Sequence, residues 1–163
     1  MQGNQLGIRT QLDYEYAADL GAALYVFATL EHNVRWLGES VLVGFGNWTT
    51  MKTAGQIAER FVALIRKSIL LDVSLRETVS QVASEFLALV LERNALMHGI
   101  PCTASDSAQR LNDNVHGFGL WTPLAVQDFS RRCETTSIAA NALLHGPFVE
   151  IRESTHKAAP DKT

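Results

Sequence analysis

The sequence predicts an all-α fold, a four-to-five-helix up-down bundle with a short insert before its last helix. Three observations predict it. Apolar residues recur at helical spacing along most of the 163 residues. Capping residues stand at the starts of the segments so marked. The helical period breaks once, between about 102 and 121, and resumes behind a strong start signal at Thr122-Pro123.

The first helix is expected from near Asp13 to about Val41, with Leu20, Leu24, Phe27 and Val34 on its apolar stripe. Gly44-Phe45-Gly46-Asn47-Trp48 reads as a loop. Thr53-Ala54-Gly55-Gln56 has the form of a capping box, in which the Thr hydroxyl and the Gln amide satisfy each other's free backbone N–H groups. It opens a second helix whose Ile57, Phe61, Ile65 and Ile69 face inward. Ser74-Leu75-Arg76-Glu77 repeats the pattern and opens a third. Val79, Val82, Phe86 and Leu89 form its main stripe, with Ala83, Leu87 and Leu91 beside it. Only Gln81, Glu85 and Glu92 mark a polar face, so this helix belongs inside a bundle. Gly99 and Pro101 stop it. Gln109-Arg110-Leu111 and Phe118-Gly119-Leu120-Trp121, around Asn112-Asp113-Asn114, suggest a short hairpin as the insert. Phe129, Cys133, Thr136, Ala140 and Leu143 carry the last helix to His145-Gly146-Pro147, a strong stop. Residues 1–150 read as one domain, and 151–163 as a polar tail that frays.

The whole-chain numbers bound the function. Hydrophobic residues are 47% and charged residues 19%, an ordinary globular balance. A formal charge of −3 argues against a protein that coats nucleic acid electrostatically, but allows a small local grip on RNA. Cys102 and Cys133 are too few for a disulfide framework and lack metal-ligand spacing, which fits a reduced, cytoplasmic setting. Met1-Gln2-Gly3-Asn4-Gln5 has neither the basic nor the apolar region of a signal peptide, and no apolar run reaches the length of a membrane span. Neither a phosphate-binding Gly loop nor a nucleophile elbow is seen, and no cofactor is expected.

The third helix ends on Glu92-Arg93-Asn94-Ala95-Leu96-Met97-His98-Gly99. Arg93 continues the inward stripe of Val79, Val82, Phe86 and Leu89, while Asn94 and His98 continue that of Leu87 and Leu91. Polar groups on a buried surface cost free energy unless paired or turned to a polar site. The helix dipole alone favours a basic residue in a last turn, so a structural reading and a chemical one both fit. At about 100° per residue, Arg93 and His98 diverge by about 140° and are about 7.5 Å apart along the axis. One ideal helix cannot aim both at one atom. Two copies related by a twofold axis can, and a locally unwound helix end at Gly99 would help. Such a trio suits metal-free RNA cleavage. Imidazole moves a proton to or from a ribose hydroxyl or a leaving oxygen, guanidinium forks onto a phosphate, and the amide orients either.

Arg93-Asn94-Ala95-Leu96-Met97-His98-Gly99 resembles the signature of the HEPN superfamily (higher eukaryotes and prokaryotes nucleotide-binding domain). That signature is an Arg, often with a polar residue after it, then a His beyond four to six positions, near the end of an inner helix of a bundle. The likeness spans the helical layout from about 13 to 146, though only the short motif is specific. The resemblance implies a metal-independent endoribonuclease, a toxin or antiphage-defence protein, dimerising to build its site on an RNA substrate. Arg93 and His98 would then be catalytic and Asn94 supporting. A regulatory protein or antitoxin is a further implied partner. One branch carries a Tyr two residues after the His, where its antitoxin adds nucleotides; here that residue is Ile100. Some members have lost nuclease activity and serve as nucleotide-, RNA- or protein-binding modules, the alternative reading here. A third is a helical subunit of a larger assembly.

Glu31 falls on the first helix's stripe with Arg35 four residues on, which suits an intrahelical ion pair. The resemblance offers a second role, an accessory acidic–basic pair beside the site, with Glu31 holding Arg93. His32, His116, His145 and His156 are assigned surface or helix-end roles, without metal. Arg66-Lys67 and Arg131-Arg132 read first as solvated faces and second as holds for RNA backbone beside the cleft. Trp36, Trp48 and Trp121 are expected as core or interface anchors rather than base-stacking platforms.

Overall fold

A computed structural model describes residues 13–151. Asp13 accepts the backbone N–H of Tyr16 at 3.1 Å and starts helix α1, Tyr14–Val41. Gly44, at φ +90°, then turns the chain. The expected loop is instead a short helix, α2, Phe45–Thr49. The Glu39 carboxylate makes it, accepting the N–H groups of Gly44 at 2.9 Å and Gly46 at 2.7 Å. The Thr53–Gln56 capping box is formed in full and opens α3, Ala54–Lys67.

Helix α4, Val73–Met97, starts two residues earlier than the Ser74 capping pattern predicts. Asp72 is its cap, accepting the Leu75 N–H at 2.8 Å. Arg76 donates to the carbonyls of Ser68 and Leu71, both at 2.8 Å, and folds the connection tightly. Helix α3 therefore ends before Ile69, which is exposed rather than inward. Leu91 is exposed too, so the second stripe of α4 is only partly buried.

The insert is a three-stranded antiparallel sheet rather than a hairpin alone: β1 Ile100–Thr103, β2 Gln109–Asp113 and β3 Gly119–Trp121, in that order. Pro101 pairs opposite Leu111, and Leu111 opposite Trp121. Thr122 and Pro123 start α5, Pro123–His145, as expected. Helix α5 ends at His145 with Gly146 as its cap, as expected, and a short helical stretch, 147–151, follows and buries Phe148. The expected fraying tail and His156 lie outside the described residues.

Hydrogen bonds Asp19–Gln127 and Asn33–Ser137 show α1 and α5 running side by side in one direction. Phe27 stacks on Phe86 of α4 and Phe129 of α5, with ring centroids 6.0 and 6.2 Å apart, and so ties three helices at the core. The sheet sits at the end of the bundle where α1 and α5 begin and α4 finishes. Tyr16 fixes it there, donating to the Trp121 carbonyl at 2.8 Å and accepting the Leu111 N–H at 3.3 Å. Arg110 reinforces the join, pairing with Asp13 at 2.9 Å over the Tyr16 ring. Among the described residues no helix is long and apolar enough to cross a membrane.

Candidate functional site

The inward stripe of α4 leads, as the spacing predicts, to Arg93. Val79, Val82, Phe86 and Leu89 are buried, and Arg93 is half-buried at their end. Its guanidinium carbon lies 5.4 Å from the centroid of the Phe27 ring. One Nη donates to the Asn94 side-chain oxygen at 2.9 Å. The charge is thus held against the ring's negative face, with an amide to orient it. Asn94 acts on the arginine here and makes no bond to His98 through its side chain.

His98 is the residue on which α4 stops. Its backbone N–H still donates to the Asn94 carbonyl at 3.0 Å, while its own conformation has left the helix. The imidazole is exposed and has no hydrogen-bond or ion-pair partner among the described residues. Gly99 follows where a side chain would be crowded, since a Cβ would stand 3.0 Å from that of Leu111. The glycine lets β2 close against the helix end, and this closure fixes where His98 emerges.

Glu31 pairs with Arg35 rather than with Arg93, in the intrahelical arrangement that the spacing allows. Its side chain is 17% exposed, so the pair is largely out of water. The expectation that Glu31 holds Arg93 gives way to the Phe27–Asn94 cradle.

Of the basic pairs, Arg131 and Arg132 are tied to carboxylates and Arg66 stands far from the site. Arg132 spans two carboxylates of α4, Glu85 and Glu92, each at 2.7 Å, so it locks α5 to α4. Burial lowers the Arg132 pKa, and the two carboxylates more than reverse this, leaving the guanidinium firmly charged. Arg131 pairs with Asp128 on the surface. Arg66 lines a hollow with Arg76 and Ser80, and Arg76 is about 25 Å from Arg93 along α4.

Two features escaped the sequence reading. Asp113, the last residue of β2, is buried and gathers the turn to β3, accepting the N–H groups of Val115, His116 and Phe118 and bonding the His116 ring. Burial alone would raise its carboxyl, but these bonds outweigh it and hold the group far below the usual carboxylate range. Trp36, expected as a core or interface anchor, is 51% exposed and so does not anchor the core of the single chain; Trp121 is buried and Trp48 is partly buried against Phe45. The signal for Trp36 was present, because it falls off the stripe of Leu30, Val34, Leu37 and Val41. No protein-family model matches this chain, and no curated protein or solved structure matches it.

Proposed function

We propose that this protein is a metal-independent endoribonuclease of the HEPN type, cutting single-stranded or loop RNA at a composite site made by two copies. The observation that carries the reading is Arg93, half-buried on Phe27 and braced by Asn94, little more than one turn before an exposed His98 that has no partner among the described residues. Such an arginine loses little freedom on meeting a phosphate and offers its remaining donors as a fork. His98 moves the proton, and the RNA's own 2′-hydroxyl attacks.

The second copy is supported by what surrounds these residues. Leu91, Met97 and Ile100 are each more than half exposed and border the Asn94–His98 stripe. Apolar side chains clustered at a helix end suit an isologous contact, in which each α4 end covers the other. In this reading the protein is a cytoplasmic toxin or antiphage-defence factor, restrained by a regulatory protein or antitoxin. Ile100 lacks the hydroxyl that nucleotide addition would need.

A second reading, a silent HEPN module that binds nucleotide, RNA or protein, is favoured by one observation. Within a single chain Arg93 is turned to Phe27 and Asn94 while His98 faces solvent. The test is to incubate wild type and His98→Ala, both folded by circular dichroism, with a structured RNA in EDTA. Wild type should leave 2′,3′-cyclic phosphate or 3′-phosphate ends and spare DNA, and the variant should lose a factor of roughly 10²–10⁴ in rate. Equal cutting by the two points to a contaminant; no cutting by wild type on any RNA favours the silent module.

A further inference from the structure

Helix α3 is basic although the chain as a whole carries −3: it holds Arg60, Arg66 and Lys67 against Glu59 alone. Arg66 opens onto a hollow of about 190 Å³ between α3 and α4, shared with Arg76, Ser80 and Ser84 of α4. Residues 76, 80 and 84 are four apart and so form one row, about 12 Å long, on one face of α4. Buried Ile65 and Ala83 make the floor, and no carboxylate lines the hollow.

The polar groups around it are fixed or free, and their charge is unmatched. Arg66 has no hydrogen bond or ion pair among the described residues. One Nη of Arg76 is held by two neutral carbonyls, those of Ser68 and Leu71, so the guanidinium is set in place without a counter-charge. Its Nε is buried out of reach, but its other Nη is neither buried nor bonded. Elsewhere on the helices hydroxyls turn back onto the carbonyl four residues before, as those of Thr29, Ser40, Thr78, Thr135 and Thr136 do. Ser80 and Ser84 do not, and neither hydroxyl has a partner among the described residues. Two guanidiniums and two free hydroxyls therefore converge over an apolar floor.

We infer that this hollow binds a phosphate group, free or as the monoester of a small molecule. The local charge selects an anion, because two cations line the hollow and no acid does. The donors come from two helices and surround a group instead of facing one edge, which fits a tetrahedral phosphate better than a planar carboxylate. The apolar floor lowers the local dielectric and strengthens each charge-assisted bond. A volume of about 190 Å³ is below that of sites that enclose a whole small ligand, so the hollow takes the phosphate and leaves the rest of an ester outside. Binding joins α3 to α4 and stabilises the fold by mass action. Arg76 is about 25 Å from Arg93 along α4, so the inference stands whether or not the protein cleaves RNA.

The probes are inorganic phosphate and glycerol 3-phosphate, titrated by calorimetry into the full chain at neutral pH and low salt, with acetate at equal ionic strength as the control. At least one phosphate probe should saturate with a Kd at or below about 1 mM, and acetate should bind at least about tenfold more weakly. Arg66→Gln should weaken the phosphate at least about tenfold, and Ser80→Ala at least about threefold. Arg131→Gln removes a surface arginine of α5 that pairs with Asp128, and should change binding less than about twofold. Arg66 and Arg131 are both exposed, and melts without phosphate should show each variant folded. Tighter binding of glycerol 3-phosphate identifies an ester as the ligand, and equal or tighter binding of inorganic phosphate identifies the free anion; either supports the inference. It is overturned if neither probe binds at about 1 mM, if acetate binds as well as phosphate, or if Arg66→Gln binds like its parent. Equal losses in Arg66→Gln and Arg131→Gln also overturn it, since binding would then follow diffuse charge and not this hollow.

Discussion

Gly38 decides how close α2 comes to α1, and replacing it by alanine should destabilise the protein. The expectation runs against the usual rule. Inside a helix, Gly→Ala is favourable by about 1 kcal/mol. At Gly38 the new Cβ would lie 2.3, 2.4 and 2.8 Å from three ring carbons of Phe45, where carbon atoms normally rest at roughly 3.5–4.0 Å. The ring has little room to yield, because Phe45 is buried against Trp48 and Phe61 at centroid distances of 5.8 and 6.3 Å. Overpacking of this kind costs about 1–3 kcal/mol and sometimes more, and a rigid buried ring puts Gly38→Ala at the upper end. The net loss should be about 2 kcal/mol, or roughly 4–8 °C in Tm for a chain of this length. Gly21 is the control. It lies in the same helix with nothing within 4 Å of its built Cβ, so Gly21→Ala should raise Tm by roughly 2–4 °C. Urea and thermal unfolding followed by circular dichroism give the free energies and the Tm shifts, and adding Phe45→Leu to Gly38→Ala should recover part of the loss. If Gly38→Ala stabilises as much as Gly21→Ala, the packing described between α1 and α2 is wrong.

Three further outcomes are expected. Arg93→Lys should impair RNA cleavage in EDTA assays while keeping the fold, since an ammonium cannot fork onto a phosphate or lie flat on Phe27; activity equal to wild type would remove Arg93 from the site. Because the folded Asp113 carboxyl is held below its unfolded value, its stabilisation is full above the ordinary carboxylate pKa of about 4 and fades as pH falls through the folded value. Asp113→Asn should therefore lower Tm at neutral pH and lose less on acidification than wild type, as a pH series of melts would show. Cys133 is buried, and burial first, then Glu92, pushes its thiol up to about 12. Intact-mass analysis after iodoacetamide at pH 8 should find the partly exposed Cys102 alkylated and Cys133 unmodified until the protein is unfolded.

What could be read from the sequence was local chemistry. Asp13, the Thr53–Gln56 box and Thr122-Pro123 each set a helix start through bonds within a single turn. The errors arose where distant residues decide. Asp72 and Ser74 both offer a capping oxygen, and the choice follows the burial of Leu71 beside them. Ile69 keeps the helical period but falls beyond the bend that Arg76 imposes from the next helix. Strand β1 has no alternating pattern of its own and exists because β2 pairs with it. At the candidate site the stripe foretold the half-buried setting of Arg93. Its aromatic support could not be foreseen, because Phe27 reaches it from another helix.

Strand β1 forms one edge of the sheet, and Pro101 stands within it. An open edge normally invites a strand from another molecule, since its backbone donors and acceptors are unspent. Proline removes one of those donors and is tolerated in sheets mainly at such borders. The strand is also only four residues long and follows directly on the helix end that carries His98. Ladder-to-ladder growth between molecules is therefore discouraged at the very place where two helix ends are proposed to meet. Copies that approach there must recognise one another through side chains, whose shapes and charges allow one closed pairing instead of an endless ribbon.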